Sequence, residues 1–267
     1  MRIVDAQVHA WAHGESTGHH WRSPLTREVL EAEMAAAGVD HVVLVPPLWD
    51  PAGNAYSLEL ATAAPERFSV MGALKPDVAD PVETVRQWRE RDGIRAVRCL
   101  FNSPDRLAPL VAGRYERFWP AAEELGLTVS LLVPGALGHA AEIARRHPGL
   151  RIIVDHLGVP RGASGPGAFA HLPDLLALAE YEGVHVKAAG AGDYAPEGYP
   201  FPSLDKPLRQ VVDAFGPERV LWASDLSRLH HPYRQCVTHF TETLPWLTPA
   251  DLDLIMGANA LRLLGRQ

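Results

Sequence analysis

Eight short runs rich in β-branched residues, each followed by a segment of helical period, occupy a chain of 267 residues without a compositional break. This alternation predicts one (β/α)8 barrel (a TIM barrel) spanning 1–267, with an extra C-terminal helix. Length agrees, since α/β barrels of about 250 residues are the standing exception to smaller domains. The rival doubly wound sheet needs a Gly-rich phosphate loop after its first strand. The segment there reads HAWAHGES, with no G-x-G-x-x-G.

Taken in order, residues 2–9 (RIVDAQVH) read as a strand and 26–37 as a helix opened by Thr26 and closed by Gly38. Residues 39–45 form the second strand, 54–64 a helix, 67–74 the third strand, and 81–92 a helix with Pro81 in its first turn. Strand 94–100, helix 115–125, strand 127–133 and helix 136–147 follow. Then come strand 151–156, helix 169–181, strand 184–189, helix 205–215, strand 219–225 and helix 234–244. The additional helix, 249–264, starts with the capping-box pattern Thr248-Pro249-Ala250-Asp251. Low-complexity loops at 158–167 and 189–203 follow the sixth and seventh strands, where barrel loops line the mouth and act as candidate lids or plain connections.

Lys+Arg total 25 and Asp+Glu 32, a net charge of −7, so nothing draws the chain generally to nucleic acid or anionic membranes. No apolar run approaches the roughly 18 residues of a membrane span. Asp5, Gln7 and His9 interrupt the stretch a signal peptide would need, and a cytoplasmic protein is expected. Cys99 and Cys236 form no CxxC pair, which excludes a disulfide scaffold and a cysteine–zinc site. A homo-oligomer is compatible with this composition, although no residue argues for one.

Alternation along a strand puts Asp5, Gln7 and His9 on one face, opposite Val4, Ala6 and Val8. Polar groups recur at other strand ends: Arg98, His156, Lys187 and Asp225. Each alone has a bland explanation, such as a satisfied rim histidine or a paired cation; one barrel mouth shared by all of them makes a site. Asp5, deepest in the barrel, reads as a structural hydrogen-bonding group.

The motifs VDAQVHAW (4–11), VDHLG (154–158), VKAAG (186–190), LWASDLS (221–227) and MGANALRLLG (256–265) resemble those of the amidohydrolase-related barrel hydrolases. The resemblance covers essentially the whole chain and extends to the lactonase branch that includes 2-pyrone-4,6-dicarboxylate lactonases. It implies a hydrolase acting on ester bonds, with His9, His156 and Asp225 matching family site positions. Two departures stand out. Members open with Asp-x-His-x-His, but Gln7 replaces the first histidine. Metal-dependent members also draw a histidine or carboxylated lysine from strand five, which here offers Thr128, Val129, Ser130, Leu131, Leu132 and Val133. No metal or other cofactor is therefore expected; if zinc binds, its ligands are His9, His156 and Asp225.

The chemistry expected of these groups is the opening of a lactone or similar cyclic ester of a small carboxylate-bearing molecule. Asp225 serves as base, and His9 and His156 polarise the carbonyl and protonate the departing oxygen. Arg98 and Lys187 are expected to hold the substrate's anionic group, Trp11 and Trp49 to wall the pocket, and Gln7 and the loop residue His231 to contact the substrate. The alternatives are a metal-dependent non-oxidative decarboxylase, a specialised biosynthetic cyclase or isomerase, and a non-catalytic binder.

Overall fold

The structure is a computed structural model that describes residues 1–74, 78–92 and 94–265. Its eight strands are β1 (Val4–Val8), β2 (His41–Leu44), β3 (Phe68–Leu74), β4 (Ala96–Leu100), β5 (Thr128–Leu132), β6 (Arg151–Val154), β7 (Val184–Ala189) and β8 (Val220–Ala223). They form one sheet in sequence order, with each consecutive pair parallel. The helices are α1 (Arg27–Ala37), α2 (Ala55–Ala63), α3 (Pro81–Asp92), α4 (Pro104–Val111), α5 (Phe118–Glu124), α6 (Leu137–Arg146) and α7 (Leu172–Ala177). They continue with α8 (Asp205–Phe215), α9 (Tyr233–Glu242), α10 (Pro249–Asp253) and α11 (Asn259–Leu263). The (β/α)8 barrel expected from the alternation is the fold observed.

Burial divides into two layers. Val8, Val42, Val97 and Ile152 point outward into the layer shared with the helices, where Leu30 and Met34 of α1 also lie. Ala6, Val43, Met71, Ala96, Ile153 and Leu221 fill the lower barrel interior, and Leu263 and Leu264 close its base. The closing helix is not continuous: Leu254–Ala258 takes a π turn between α10 and α11. At Gly257 a Cβ would stand 2.2 Å from the Arg2 carbonyl oxygen, so only glycine lets this segment press against the entry to β1. Asn259 Nδ2 then donates to the Pro217 and Val220 carbonyls, both at 2.8 Å. The Thr248–Asp251 capping box starts the segment as expected.

Three elements depart from simple periodicity. α4 was absent from the helical pattern, although Ser103-Pro104-Asp105 supplies an N-cap, a proline in the first turn and an acidic residue. The sixth strand ends at Val154, and Asp155–Gly158 turns sharply, with His156 (φ 55°) and Leu157 (φ 53°) left-handed. In β1, register shifts between Asp5 and Val8, and Asp5 Oδ1 accepts the Gln7 N–H at 3.0 Å. Asp5, Gln7 and His9 consequently do not share a face. Ala6 and Gln7 both contribute to the interior, while Asp5 turns toward β8 and α9.

Asp5 thereby clasps the two ends of the sheet together. It accepts Ser224 N at 3.0 Å, the Ser224 hydroxyl, and Tyr233 Oη of α9 at 2.6 Å, while Asp225 N donates to the Gln7 carbonyl at 3.1 Å. Burial lifts its carboxyl to about 6, against the opposing effect of these donors. Asp5→Ala would strand the Gln7 and Ser224 amides, each costing about 1–3 kcal/mol when buried without a partner. Urea unfolding should show a loss of at least about 2 kcal/mol, and a loss below about 0.5 kcal/mol would mean that the clasp is dispensable.

Candidate active site

The polar interior is built in two levels. In the lower one, the Asp155 carboxylate sits fully buried just beyond β6. Arg98 Nε of β4 donates to its Oδ2 at 2.6 Å, Lys187 Nζ of β7 to its Oδ1 at 2.7 Å, and the Ser130 hydroxyl of β5 also reaches Oδ1. Burial opposes the carboxylate charge, but Lys187 and Arg98 outweigh it and hold Asp155 far below the usual carboxylate range. Lys187 Nζ also donates to Gln7 Oε1 at 3.1 Å and approaches Ser130 Oγ at 3.4 Å.

These contacts orient the level above. Because the ammonium donates to Gln7 Oε1, the Gln7 NH2 must face the other way, toward His156 Nε2 at 3.1 Å. Arg98 Nη2 lies 3.3 Å from the same nitrogen. Two donors face Nε2 within 3.3 Å, whereas Nδ1 lies 3.2 Å from both the Ala189 carbonyl and the Tyr194 hydroxyl oxygen, with Arg228 Nη1 more distant at 3.5 Å, an arrangement that places the proton on Nδ1. Burial pushes His156 down to about 3, Asp225 only partly opposing it, so the ring is neutral around pH 7.

Asp225 follows β8 in the left-handed region (φ 53°), a conformation that Asp tolerates better than most residues. Its Oδ1 lies 3.3 Å from His9 Nε2 and its Oδ2 is 3.7 Å from His156 Nε2 and 3.5 Å from Arg228 Nη1. His9 Nδ1 donates to the Val45 carbonyl at 2.6 Å, which aims Nε2 at the carboxylate. Burial opposes ionisation of Asp225, yet His9, His156 and Arg228 keep it well below the usual range. Asp225 Oδ1 has no hydrogen-bond partner among the described residues.

A cavity of about 180 Å³ opens over this level at the C-terminal mouth. His9, His156, Asp225, Arg98 and Trp49 line it, as the strand-end argument expects. Four other predicted contacts are placed differently. Lys187 and Gln7 are fully buried beneath the cavity and spend their polar atoms on Asp155, Ser130 and His156. Trp11 is fully buried behind Trp49, with ring centroids 5.4 Å apart, and does not line the cavity. His231 turns away from the cavity toward Asp193 and Phe201. The strand-end pattern does not single out Arg228, Arg106 and Arg161, which join Arg98 around the cavity, or Asp155, which is fully buried beneath it. Arg228 carried a legible signal, three residues past Asp225 in a post-strand loop.

His9, His156 and Asp225 meet, as a zinc site would require, but the surroundings do not fit a divalent ion. His156 Nε2 is engaged by Gln7 and faced by Arg98, and Arg228 and Lys187 add positive charge nearby. Among the described residues, no group of three or more histidine, cysteine or acidic side chains has metal-holding geometry.

Fold and mouth together define a barrel enzyme of the amidohydrolase type, with its acidic and imidazole groups at the strand ends. The chain belongs to the amidohydrolase family, whose model matches residues 4–266. It is 26% identical to an L-fucono-1,5-lactonase of Burkholderia ambifaria, over 96% of this chain and 90% of that protein. An amidohydrolase from Burkholderia multivorans crystallised with HEPES is 20% identical, with each chain covered in full and a TM-score of 0.84; another crystal form has zinc bound. A putative 2-pyrone-4,6-dicarboxylic acid hydrolase from Pseudomonas putida is 23% identical, covering 99% of this chain and 97% of that one, with a TM-score of 0.74.

Removing the anion of the lower level leaves two buried cations unpaired. Asp155→Asn should cost about 3–5 kcal/mol at pH 7 by urea unfolding. Because Asp155 titrates lower in the folded than in the unfolded chain, its stabilisation is present above about pH 4 and fades as pH falls. The variant should therefore lose stability less steeply than the parent below pH 4. An unchanged acid slope together with a loss under about 1 kcal/mol would contradict this role.

Proposed function

We propose that the protein is a lactonase that opens a small carboxylate-bearing lactone by direct attack of water, with Asp225 as base and without a tightly bound metal. One observation carries this reading: the unpaired Asp225 Oδ1 sits 3.3 Å from His9 Nε2 in the wall of a cavity bordered by four arginines. The L-fucono-1,5-lactonase relative supports the lactone as substrate class. The arginines support the carboxylate, since a guanidinium fork matches its geometry.

A water placed between Asp225 Oδ1 and His9 Nε2 donates both hydrogens and turns a lone pair toward the lactone carbonyl. Its oxygen bonds to the carbonyl carbon while Asp225 takes the proton. Arg228 and Arg98, which both line the cavity, stabilise the oxyanion. On collapse the ring C–O bond breaks, and Asp225 returns its proton to the leaving oxygen, giving a hydroxy acid. His156, with its Nε2 already accepting from Gln7 and faced by Arg98, holds the Arg98 guanidinium at the cavity instead of donating to the carbonyl, a change from the role expected on sequence grounds.

Arg106 and Arg161 stand nearer the solvent side. Arg106 Nη1 donates to Asn102 Oδ1 at 2.9 Å, and Arg161 Nη2 to the Gly18 carbonyl at 3.2 Å, leaving other guanidinium N–H groups for a substrate carboxylate. A metal-dependent decarboxylase draws no support from this donor set.

Chelator-treated protein should open carboxylated δ- or γ-lactones at least about tenfold faster, as kcat/KM, than neutral ones of equal ring size. Asp225→Asn keeps the left-handed turn accessible and should lower kcat by about 10²–10⁴-fold with KM nearly unchanged. Arg106→Ala should raise KM for the carboxylated substrate alone. Turnover abolished by the chelator and restored by zinc, or full activity in Asp225→Asn, would overturn the assignment.

A further inference from the structure

The family pattern takes metal ligands from the first histidine of the opening strand and from strand five. In this chain Gln7 occupies the first position and Ser130 lies on strand five; both turn to the same nitrogen. Lys187 Nζ reaches Gln7 Oε1 at 3.1 Å, Ser130 Oγ at 3.4 Å and Asp155 Oδ1 at 2.7 Å. We propose that the Lys187 ammonium is the fixed cation of this barrel, taking the place of a metal ion between β1, β5 and β6 and, through Gln7, aiming His156 at the cavity.

Three observations converge on this assignment. The ammonium has three N–H donors and finds three oxygen acceptors, one from each of the elements that face it. Lys187 is fully buried and does not line the cavity, so direct substrate binding is not its task. Its contact with Gln7 Oε1 also determines which end of the amide meets His156, so it acts as a positioning residue two hydrogen bonds from the imidazole. A divalent ion added beside it would face both Lys187 and Arg98, with Asp155 already neutralised between them.

The consequence is a specific kind of epistasis. Restoring the missing histidine with Gln7→His leaves the ammonium in place and should not create a metal site. Removing the ammonium as well frees an Asp155 oxygen beside the new imidazole. This deepens the metal-free reading above, but zinc binding tests it apart from any turnover.

Wild type, Gln7→His, Lys187→Ala and Gln7→His/Lys187→Ala are equilibrated with zinc, desalted, and assayed by inductively coupled plasma mass spectrometry and calorimetry. The double variant should retain about one zinc per chain and bind it about 100-fold more tightly than wild type, with Gln7→His within about threefold of wild type. Gln7→His binding as tightly as the double variant, or a folded double variant no tighter than wild type, would overturn the proposal. So would stoichiometric zinc retained by wild type, which needs no variant to fold. If circular dichroism shows the double variant unfolded, Gln7→His/Lys187→Gln takes its place. On a lactone substrate, Lys187→Gln should lower kcat by about 10–100-fold with KM within about threefold, a split that general destabilisation would not produce. Failure of every lactone alongside the expected zinc pattern would reject the proposed reaction and leave the cation assignment standing.

Discussion

A single buried carboxylate, Asp155, organises the polar interior of this barrel. It holds Arg98 of β4 and Lys187 of β7 at 2.6 and 2.7 Å, and its fixed negative charge is what makes two buried cations tolerable there. Each cation then has a second task. Lys187 sets the Gln7 amide, and Arg98 joins that amide in facing His156 Nε2. Burial keeps the imidazole at the mouth neutral, and donors from one level deeper decide which of its nitrogens carries the proton. Gln7, Ser130, Asp155 and Lys187 thereby form one connected polar network beneath the cavity.

The backbone contributes at the same places. His156, Leu157 and Asp225 are all left-handed, which costs a non-glycine residue roughly 1–2 kcal/mol. These turns end β6 and β8 early and bring His156 and Asp225 to the top of the barrel. The clasp from Asp5 to Ser224 and Tyr233 ties β1 to β8 beside Asp225, so barrel closure and the geometry of the cavity wall rest on neighbouring residues. Strain and hydrogen bonding are concentrated where the cavity is, while the lower interior is apolar and sealed by the C-terminal helix.

The barrel was legible because strand and helix periods alternate eight times, and the mouth because polar residues recur at strand ends. The replacement of a family histidine by Gln7 was legible too. Depth was not. Alternation places Lys187 inward, but only the assembled barrel shows that its ammonium stops below the cavity, so the expected substrate contact became a structural one. The register shift in β1 coincides with the Asp5 side chain accepting the Gln7 amide, a contact invisible to hydrophobic periodicity. Arg106 and Arg161 reach the cavity from loops and a helix whose placement no strand pattern gives.

The central claim is that His156 is neutral, with its proton on Nδ1 and its Nε2 held by donors from the level below. Two-bond proton–nitrogen correlation spectra of selectively histidine-labelled protein report this state directly. Between pH 5 and 8, His156 should show an unprotonated Nε2, a protonated Nδ1 and no titration. A protonated Nε2, or an imidazolium forming within that range, would contradict the account.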